Sequence, residues 1–145
     1  MNGSYILLTR VEQAIQIEVG SLGLLQVDAG YYAYVGSAMG GLDTRIKRHL
    51  SSNKKHFWHI DYLLDHAQVV AVVKVPSCRR LECEIADLLA KKLQPIPRFG
   101  CSDCSCRSHL FYAREIDRIH SVVSDAISML PASSHFVKFE PDCWK

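Results

Sequence analysis

Residues 30–50 constrain the fold of this 145-residue chain more than any other stretch. Their first part alternates in period two, as a strand does, so that Tyr32, Tyr34 and Gly36 share one face. Small residues and glycines then interrupt the strand, and a helix is predicted from near Leu42. A strand that enters a helix through a glycine turn leaves backbone N–H groups facing outward, which suits a phosphate.

The predicted helix carries basic side chains beside its apolar stripe. Leu42, Ile46 and Leu50 form the stripe, and Arg45 and His49, four positions apart, lie along one of its edges. This arrangement fits a phosphate site, and it also fits an ordinary amphipathic helix with a solvated basic face.

Local charge is more informative than overall charge. The net charge is only +2, which does not by itself indicate a nucleic-acid partner. Seven basic or histidine side chains nevertheless fall within a dozen positions: Arg45, Lys47, Arg48, His49, Lys54, Lys55 and His56. Such a cluster can neutralise phosphates, although a solvated surface is its commonest meaning.

Composition and length predict one ordinary globular domain over residues 1–145, with 48% hydrophobic and 22% charged residues. The first residues lack the pattern of a signal peptide, and the longest apolar run, residues 69–73, is too short to span a bilayer. We therefore expect a cytoplasmic protein without a membrane partner. In that compartment, six cysteines favour thiols or metal ligands over disulfides.

Periodicity and turn residues predict an α+β fold, with a small antiparallel or mixed sheet, an inserted hairpin and about four flanking helices. The hairpin covers residues 15–27. Strands are predicted over residues 3–9, 14–19, 24–27, 30–36, 69–75, 109–113 and 135–139, and helices over 42–50, 56–64, 79–93 and 115–130.

The helix predicted over residues 79–93 offers a carboxylate. On a helical wheel Glu82 lies at the flank of the inward stripe, whereas Glu84 lies on the polar side. A carboxylate beside the core is costly unless it is paired or bound to a metal, so Glu82 is the better functional candidate. The alternative is an ion pair with an arginine such as Arg79.

Four soft ligands occur within nine residues. Cys101, Cys104, Cys106 and His109 form the pattern C-x2-C-x-C-x2-H, which could bind zinc, with Cys83 able to complete the set. The spacing is tighter than in common zinc ribbons, so reduced structural thiols or an oxidation-sensitive pair stay open as alternatives.

Together these residues resemble the GIY-YIG nuclease family, in its Uri-type branch. Tyr5 ends the segment Gly-Ser-Tyr, where the family has its first motif, and Tyr34 begins Tyr-Val-Gly, where it has the second. Arg45 followed by His49, and then the acidic helix with Glu82, occur in the family's order. The resemblance covers the chain to about residue 113.

Three departures from the family pattern are visible. Serine replaces isoleucine in the first motif, and the hairpin lengthens the interval between the two motifs. Gly100 stands near the place where many members have an asparagine, and Asp103 or His109 could substitute for it.

The resemblance implies a DNA endonuclease that hydrolyses phosphodiester bonds with one divalent ion, Mg²⁺ or Mn²⁺, and that acts in DNA repair, with repair proteins as partners. Tyr5 or Tyr34 would orient or deprotonate water. Arg45 would hold the scissile phosphate, His49 would bind a neighbouring phosphate or share the proton path, and Glu82 would hold the metal. The nuclease core would cover residues 1–114, followed by a C-terminal helix and tail over residues 115–145.

DNA contacts are expected around the second motif and the basic cluster, from Gly36, Ser37, Lys47, Arg48, Lys54, Lys55 and His59. His59 borders the DNA channel in this interpretation, and the alternative is a structural hydrogen-bonded pair with Asp61. Two other functions stay open at this point: a nucleic-acid-binding module without turnover, and a zinc-dependent interaction protein.

Overall fold

The computed structural model describes residues 2–51, 55–101 and 106–130 and the two-residue strand 138–139. The predicted α+β fold is confirmed. In chain order the elements are β1 (Gly3–Val11), β2 (Ile15–Val19), β3 (Gly23–Val27), β4 (Gly30–Ala38), α1 (Leu42–Leu50), α2 (His59–Leu64), β5 (Gln68–Pro76), α3 (Glu82–Ala90), β6 (Gln94–Pro95), β7 (Leu110–Ala113), α4 (Ile116–Ser128) and β8 (Lys138–Phe139).

Six strands form the main sheet in the order β6-β7-β4-β1-β5-β8, and every neighbouring pair is antiparallel. The predicted hairpin is confirmed as the separate β2–β3 pair, which a 3-10 turn connects at Gly20–Leu22. Central strand β1 pairs with β4 so that Tyr5 lies opposite Gly36 and Leu7 opposite Tyr34. The register therefore brings the two predicted motifs side by side.

The sheet buries two different faces. One carries aliphatic side chains such as Ile6, Leu8 and Val35, which pack with residues of α3 and α4. The other carries Tyr5, Tyr34 and their neighbours, which pack with residues of α1, α2 and the hairpin. The alternation predicted for the tyrosine strand is confirmed, because successive strand residues point to opposite faces.

Helix α2 begins at His59 rather than at residue 56. The carboxylate of Asp61 accepts the backbone N–H groups of Phe57 and Trp58 at 2.8 and 2.9 Å. These N–H groups are therefore satisfied at the helix N-terminus without further helical turns.

Helix α3 covers residues 82–90, which is shorter than the predicted 79–93. The Arg79 N–H group bonds to Ser77 Oγ at 3.2 Å, and the Leu81 N–H group bonds to Ser4 Oγ of β1 at 3.2 Å. These bonds hold the chain outside the helix until Glu82, which becomes the first helical residue.

Other boundaries differ by one to three residues, as helix and strand ends commonly do. Strand β7 begins at Leu110 and α4 covers 116–128, against the predicted 109 and 115–130. The last predicted strand is present as Lys138–Phe139, and its first three residues lie outside the described part of the chain. Among the described helices, none has the length and apolar character needed to cross a bilayer.

Candidate functional site

A cavity of about 590 Å³ opens beside the aromatic face of the sheet. Its walls come from the hairpin turn, β1, β4, α1, α2, α3 and the segment before β7. Four of the five residues predicted to be catalytic line it: Tyr5, Tyr34, Arg45 and Glu82. They come from four different elements, and the sheet register and the two helix N-termini bring them together.

Two aromatic rings and a glycine form the base of this cavity. The rings of Tyr5 and Tyr34 have their centroids 6.4 Å apart. The Tyr5 ring lies against Gly36, where a Cβ atom would come within 2.5 Å of Tyr5 Cζ. Glycine at this position is therefore what allows the phenol of Tyr5 to reach the cavity.

Arg45 is held on the cavity wall by two contacts. Its Nη1 atom donates to the Ser37 carbonyl at 3.0 Å, and its guanidinium carbon lies 4.4 Å from the centroid of the Trp58 ring. A guanidinium has five N–H groups, so donors remain for an anion in the cavity.

Glu82 is the first residue of α3, and its side chain is 21% exposed. One carboxylate oxygen lies 3.6 Å from Arg80 Nη1, and the other lies 3.6 Å from His109 Nδ1. The alternative of an arginine partner for Glu82 is therefore confirmed, but the partner is Arg80. Arg79, the arginine named as an example, bonds to the exposed Glu84 at 2.7 Å instead. The carboxylate of Glu82 thus faces the cavity with cationic or titratable neighbours, whereas Glu84 belongs to the outer surface.

Both phenols in the cavity are strongly disposed to stay protonated. Burial raises the pKa of Tyr5 above its ordinary value, and the Arg45 cation only partly offsets this. Burial raises the pKa of Tyr34 as well, with further increases from the neighbouring Tyr5 and Glu82. Neither tyrosine is a phenolate near neutral pH.

His49 lies below the cavity rather than on its wall, and the residue is only 2% exposed. Its Nε2 atom is 2.6 Å from the Tyr5 hydroxyl. The predicted contact of His49 with a neighbouring phosphate stays a prediction, and the covered ring does not favour it. The second predicted role, a share in the proton path, is compatible with its contact with Tyr5.

Arg48 neutralises a buried acid that the sequence did not connect with it. Its two terminal nitrogens donate to the two oxygens of Asp61 at 3.1 and 3.2 Å, and the Asp61 side chain is fully buried. Burial alone would raise the pKa of Asp61, but the bonds from Arg48 and from two backbone N–H groups outweigh it and lower that pKa. Arg48 thus has a structural partner, and its predicted contact with DNA stays a prediction.

His59 lines the cavity and has a different partner from the predicted one. Its Nδ1 atom accepts the Gly100 N–H group at 2.8 Å, so the proposed pairing with Asp61 is wrong. Because an amide N–H can only donate, the neutral ring carries its proton on Nε2. Burial lowers the pKa of His59, which keeps the ring neutral at pH 7.

Soft ligands adjoin the cavity at Glu82. Ligand atoms of Cys83, Cys106 and His109 all lie within 4.8 Å of one another, and this group could hold a metal ion. The two sulfur atoms are 2.9 Å apart. Of the other predicted ligands, Cys101 is not a member of this group, since its thiol donates to the Phe99 carbonyl at 3.5 Å, and Cys104 lies outside the described residues.

A family model described as "Domain of unknown function DUF123" matches residues 4–132. The chain belongs to the DUF123 family. No curated protein and no solved structure matches the chain. The match covers every residue that lines the cavity of this DUF123 protein.

The remaining predicted DNA contacts of the DUF123 chain fall into two groups. Gly36 and Ser37 line the cavity, while Lys47 and Lys55 are exposed on the outer surface of the protein. Lys54 lies outside the described residues, as does Asp103, one of the two predicted substitutes for the family asparagine. The other substitute, His109, does line the cavity.

Phe57, Trp58 and Arg80 are among the cavity residues that sequence reasoning missed, and Gly20, Ser21, Met39 and Tyr62 are the others. The basic run followed directly by two aromatic residues was a usable signal for the first two. Arg80 carried no such signal, because its position depends on the turn that delays the start of α3.

Proposed function

We propose that this DUF123 protein hydrolyses phosphodiester bonds of DNA with a divalent ion, in the manner of the GIY-YIG nucleases that its sequence resembles. The observation that carries the proposal is the shared cavity of Tyr5, Tyr34, Arg45 and Glu82. A purely structural role would not require a guanidinium, a carboxylate and two phenols from distant parts of the chain to face the same space. DNA, rather than a small ester, is proposed because the exposed Lys47 and Lys55 are within two positions in sequence of the cavity residues Arg45 and Phe57.

Arg45 would bind the nonbridging oxygens of the scissile phosphate. Its planar guanidinium suits bidentate contact with a phosphate, and the hydrogen bond to the Ser37 carbonyl and the cation–π contact with Trp58 hold it in place before substrate binds. Charge neutralisation of this kind favours attack at phosphorus, because negative charge must approach an already anionic ester.

Tyr5 and His49 would carry the proton from the attacking water. With the phenol donating to His49 Nε2 at 2.6 Å, the Tyr5 oxygen can accept a hydrogen bond from water in the cavity. As the water oxygen bonds to phosphorus and the bond to the 3′ oxygen breaks, the water proton passes to Tyr5 and the phenol proton to His49. This relay needs no free phenolate, which fits the raised pKa of Tyr5.

Glu82 is the residue that would hold the ion. Its carboxylate is partly exposed to a polar cavity with room for water, which suits Mg²⁺ or Mn²⁺. When bound, such an ion would neutralise charge on the departing 3′ oxygen. The neighbouring thiols are soft ligands and do not suit these hard ions.

Nicking of supercoiled plasmid in Mg²⁺ or Mn²⁺ tests the proposal. We expect Arg45→Ala and Glu82→Ala to lower the nicking rate by about 100-fold or more, as loss of a charge-stabilising group usually does. Arg79→Ala and Glu84→Ala are matched controls, because they remove a positive and a negative charge from an exposed ion pair at the start of α3. Both controls should nick at the wild-type rate.

Rates for Arg45→Ala and Glu82→Ala equal to those of the controls would refute the proposed site. A nucleic-acid-binding module without turnover is the second candidate, and the raised pKa of both phenols favours it. Fluorescence anisotropy with a labelled oligonucleotide separates the two. Binding that Arg45→Ala weakens, with no nicking by the wild type, would support the second candidate.

A further inference from the structure

We propose that Cys83, Cys106 and His109 hold a structural zinc ion that clamps the start of α3 to the segment before β7. The proposal begins from their convergence. Cys83 lies in the first turn of α3, whereas Cys106 is 23 residues away along the chain, yet their sulfur atoms are 2.9 Å apart. A ring nitrogen of His109 completes a group of ligand atoms within 4.8 Å of one another.

The donor set selects the metal. Thiolates and imidazoles are the donor types of structural zinc sites, and they are poor ligands for Mg²⁺. Zinc–sulfur bonds of about 2.3 Å in tetrahedral geometry separate two ligand sulfurs by about 3.8 Å. Less than about 1 Å of adjustment would therefore convert the present sulfur contact, in which a thiol proton lies between the atoms, into metal ligation.

The surroundings of His109 favour the ring form that can bind a metal. The Nδ1 atom of His109 is 3.2 Å from the Val35 carbonyl. A carbonyl only accepts, so this contact puts the proton on Nδ1 and the lone pair on Nε2, as second-shell bonds do for metal-binding histidines.

The clamp would position Glu82. This carboxylate is the chain neighbour of Cys83, and its oxygen lies 3.6 Å from His109 Nδ1. On the other side, the Leu81 N–H group bonds to Ser4 in β1. Zinc would thus fix the second side of the α3 N-terminus and hold the Glu82 carboxylate toward the cavity. The role given to Glu82 rests on the proposed nuclease function, whereas the zinc site does not.

Metal analysis of the protein, purified under reducing conditions without chelator, tests the site directly. We expect about one zinc per chain in the wild type and a loss of most of it in Cys83→Ser and Cys106→Ser. Cys78→Ser is the matched control, because Cys78 is exposed and is not a member of the group. It should keep the full zinc content.

Cobalt substitution gives a second readout, which does not require the variants to fold without metal. Wild-type protein and Cys78→Ser, reconstituted with Co²⁺, should show thiolate-to-cobalt charge-transfer absorption and intense visible bands of tetrahedral cobalt. Wild-type protein with neither bound zinc nor these bands would overturn the proposal. A Cys83–Cys106 disulfide, found by mass spectrometry after blocking of thiols in freshly purified protein, would overturn it as well.

The positioning role is tested by the Mg²⁺ dependence of nicking. Cys83→Ser should require about ten times more Mg²⁺ for half-maximal nicking, or more, as loss of groups that orient a metal ligand commonly does. Glu82→Ala should keep its zinc and lose nicking. Wild-type protein that binds one zinc and does not nick would refute the nuclease proposal alone. Wild-type protein that nicks without bound zinc would refute the zinc site alone.

Discussion

The two faces of the sheet use the same strands for different purposes. On the aliphatic face, residues such as Ile6, Leu8 and Val35 pack with residues of α3 and α4. On the aromatic face, Tyr5 and Tyr34, from the same two strands, pack close to His49 and line the cavity.

This difference separates stability from chemistry at the level of single residues. Ile6 is the chain neighbour of Tyr5, and Val35 is the chain neighbour of Tyr34, yet each pair divides between the two faces. A substitution on the aliphatic face should therefore affect mainly the free energy of unfolding, as long as the strand register is kept. A substitution on the aromatic face should affect mainly activity.

The largest effect on stability is expected on the aliphatic face. Leu89→Ala removes a fully buried side chain of α3 and should lower the free energy of unfolding by about 2–5 kcal/mol. Nicking by the folded fraction should stay within about twofold of the wild type. Urea unfolding and plasmid nicking at low temperature measure the two effects.

Leu24→Ala is the control for this substitution, because Leu24 is 70% exposed in the hairpin. Its free energy of unfolding should change by less than about 0.5 kcal/mol. If folded Leu89→Ala lost nicking as severely as Arg45→Ala, the separation of the two faces would be disproved.

A smaller loss of stability with a large loss of activity is expected from Gly36→Ala on the aromatic face. The added methyl group would collide with the Tyr5 ring, which must shift at a cost of about 1–3 kcal/mol. The shift would also move the Tyr5 hydroxyl away from His49, so nicking should fall at least tenfold.

Gly40→Ala is the matched control, since a Cβ atom at Gly40 would meet nothing within 4 Å. It should unfold and nick like the wild type. Equal nicking rates for the two glycine variants would show that the close contact between Gly36 and Tyr5 is not needed for the reaction.

The smallest effect on the free energy of unfolding is expected from the titration of His59 as the pH falls. Burial lowers the pKa of His59 in the folded state below its ordinary value of 6.5. The unfolded chain therefore binds more protons than the folded chain below about pH 6.5. The contribution of His59 to the free energy of unfolding is fully present above that pH and is lost as the pH falls toward the pKa of the folded state. His59→Gln should flatten the fall in unfolding free energy between pH 7 and pH 5.

His66→Gln provides the comparison, because His66 is exposed. Its pH profile should follow that of the wild type when both are measured by urea unfolding. A His59→Gln profile that falls as steeply as the wild-type profile would contradict the lowered pKa.

Much of the fold could be predicted from the sequence because local pattern decided it. Alternation in residues 30–36 set the two faces, the hairpin was bounded by turn residues, and the apolar stripe placed α1 at Leu42. The starts of α2 and α3 could not be read in the same way. They depend on hydrogen bonds to side chains, and Ser4, which bonds to the chain before α3, is 77 residues from Leu81.

The sequence predicted which residues belong to the candidate site better than it predicted which side chains these residues pair with. The order of Tyr5, Tyr34, Arg45 and Glu82 placed four residues in one cavity. The sequence named Cys83 as a residue able to complete the cysteine cluster, and its contact with Cys106 agrees with that. The pairing of Arg48 with Asp61 depends on the packing of elements distant in the chain. Composition and spacing carry no signal for that pairing, because charged residues have several plausible partners.

The hairpin has a consequence for how this architecture can vary. Its turn contributes Gly20 and Ser21 to the cavity rim, although among the described strands β2 and β3 pair only with each other and not with the main sheet. Lengthening or shortening this ribbon would reshape the entrance while leaving every strand of the main sheet in place. Relatives with a hairpin of different length would therefore admit different substrates to the cavity, while the reacting groups below the entrance stay the same.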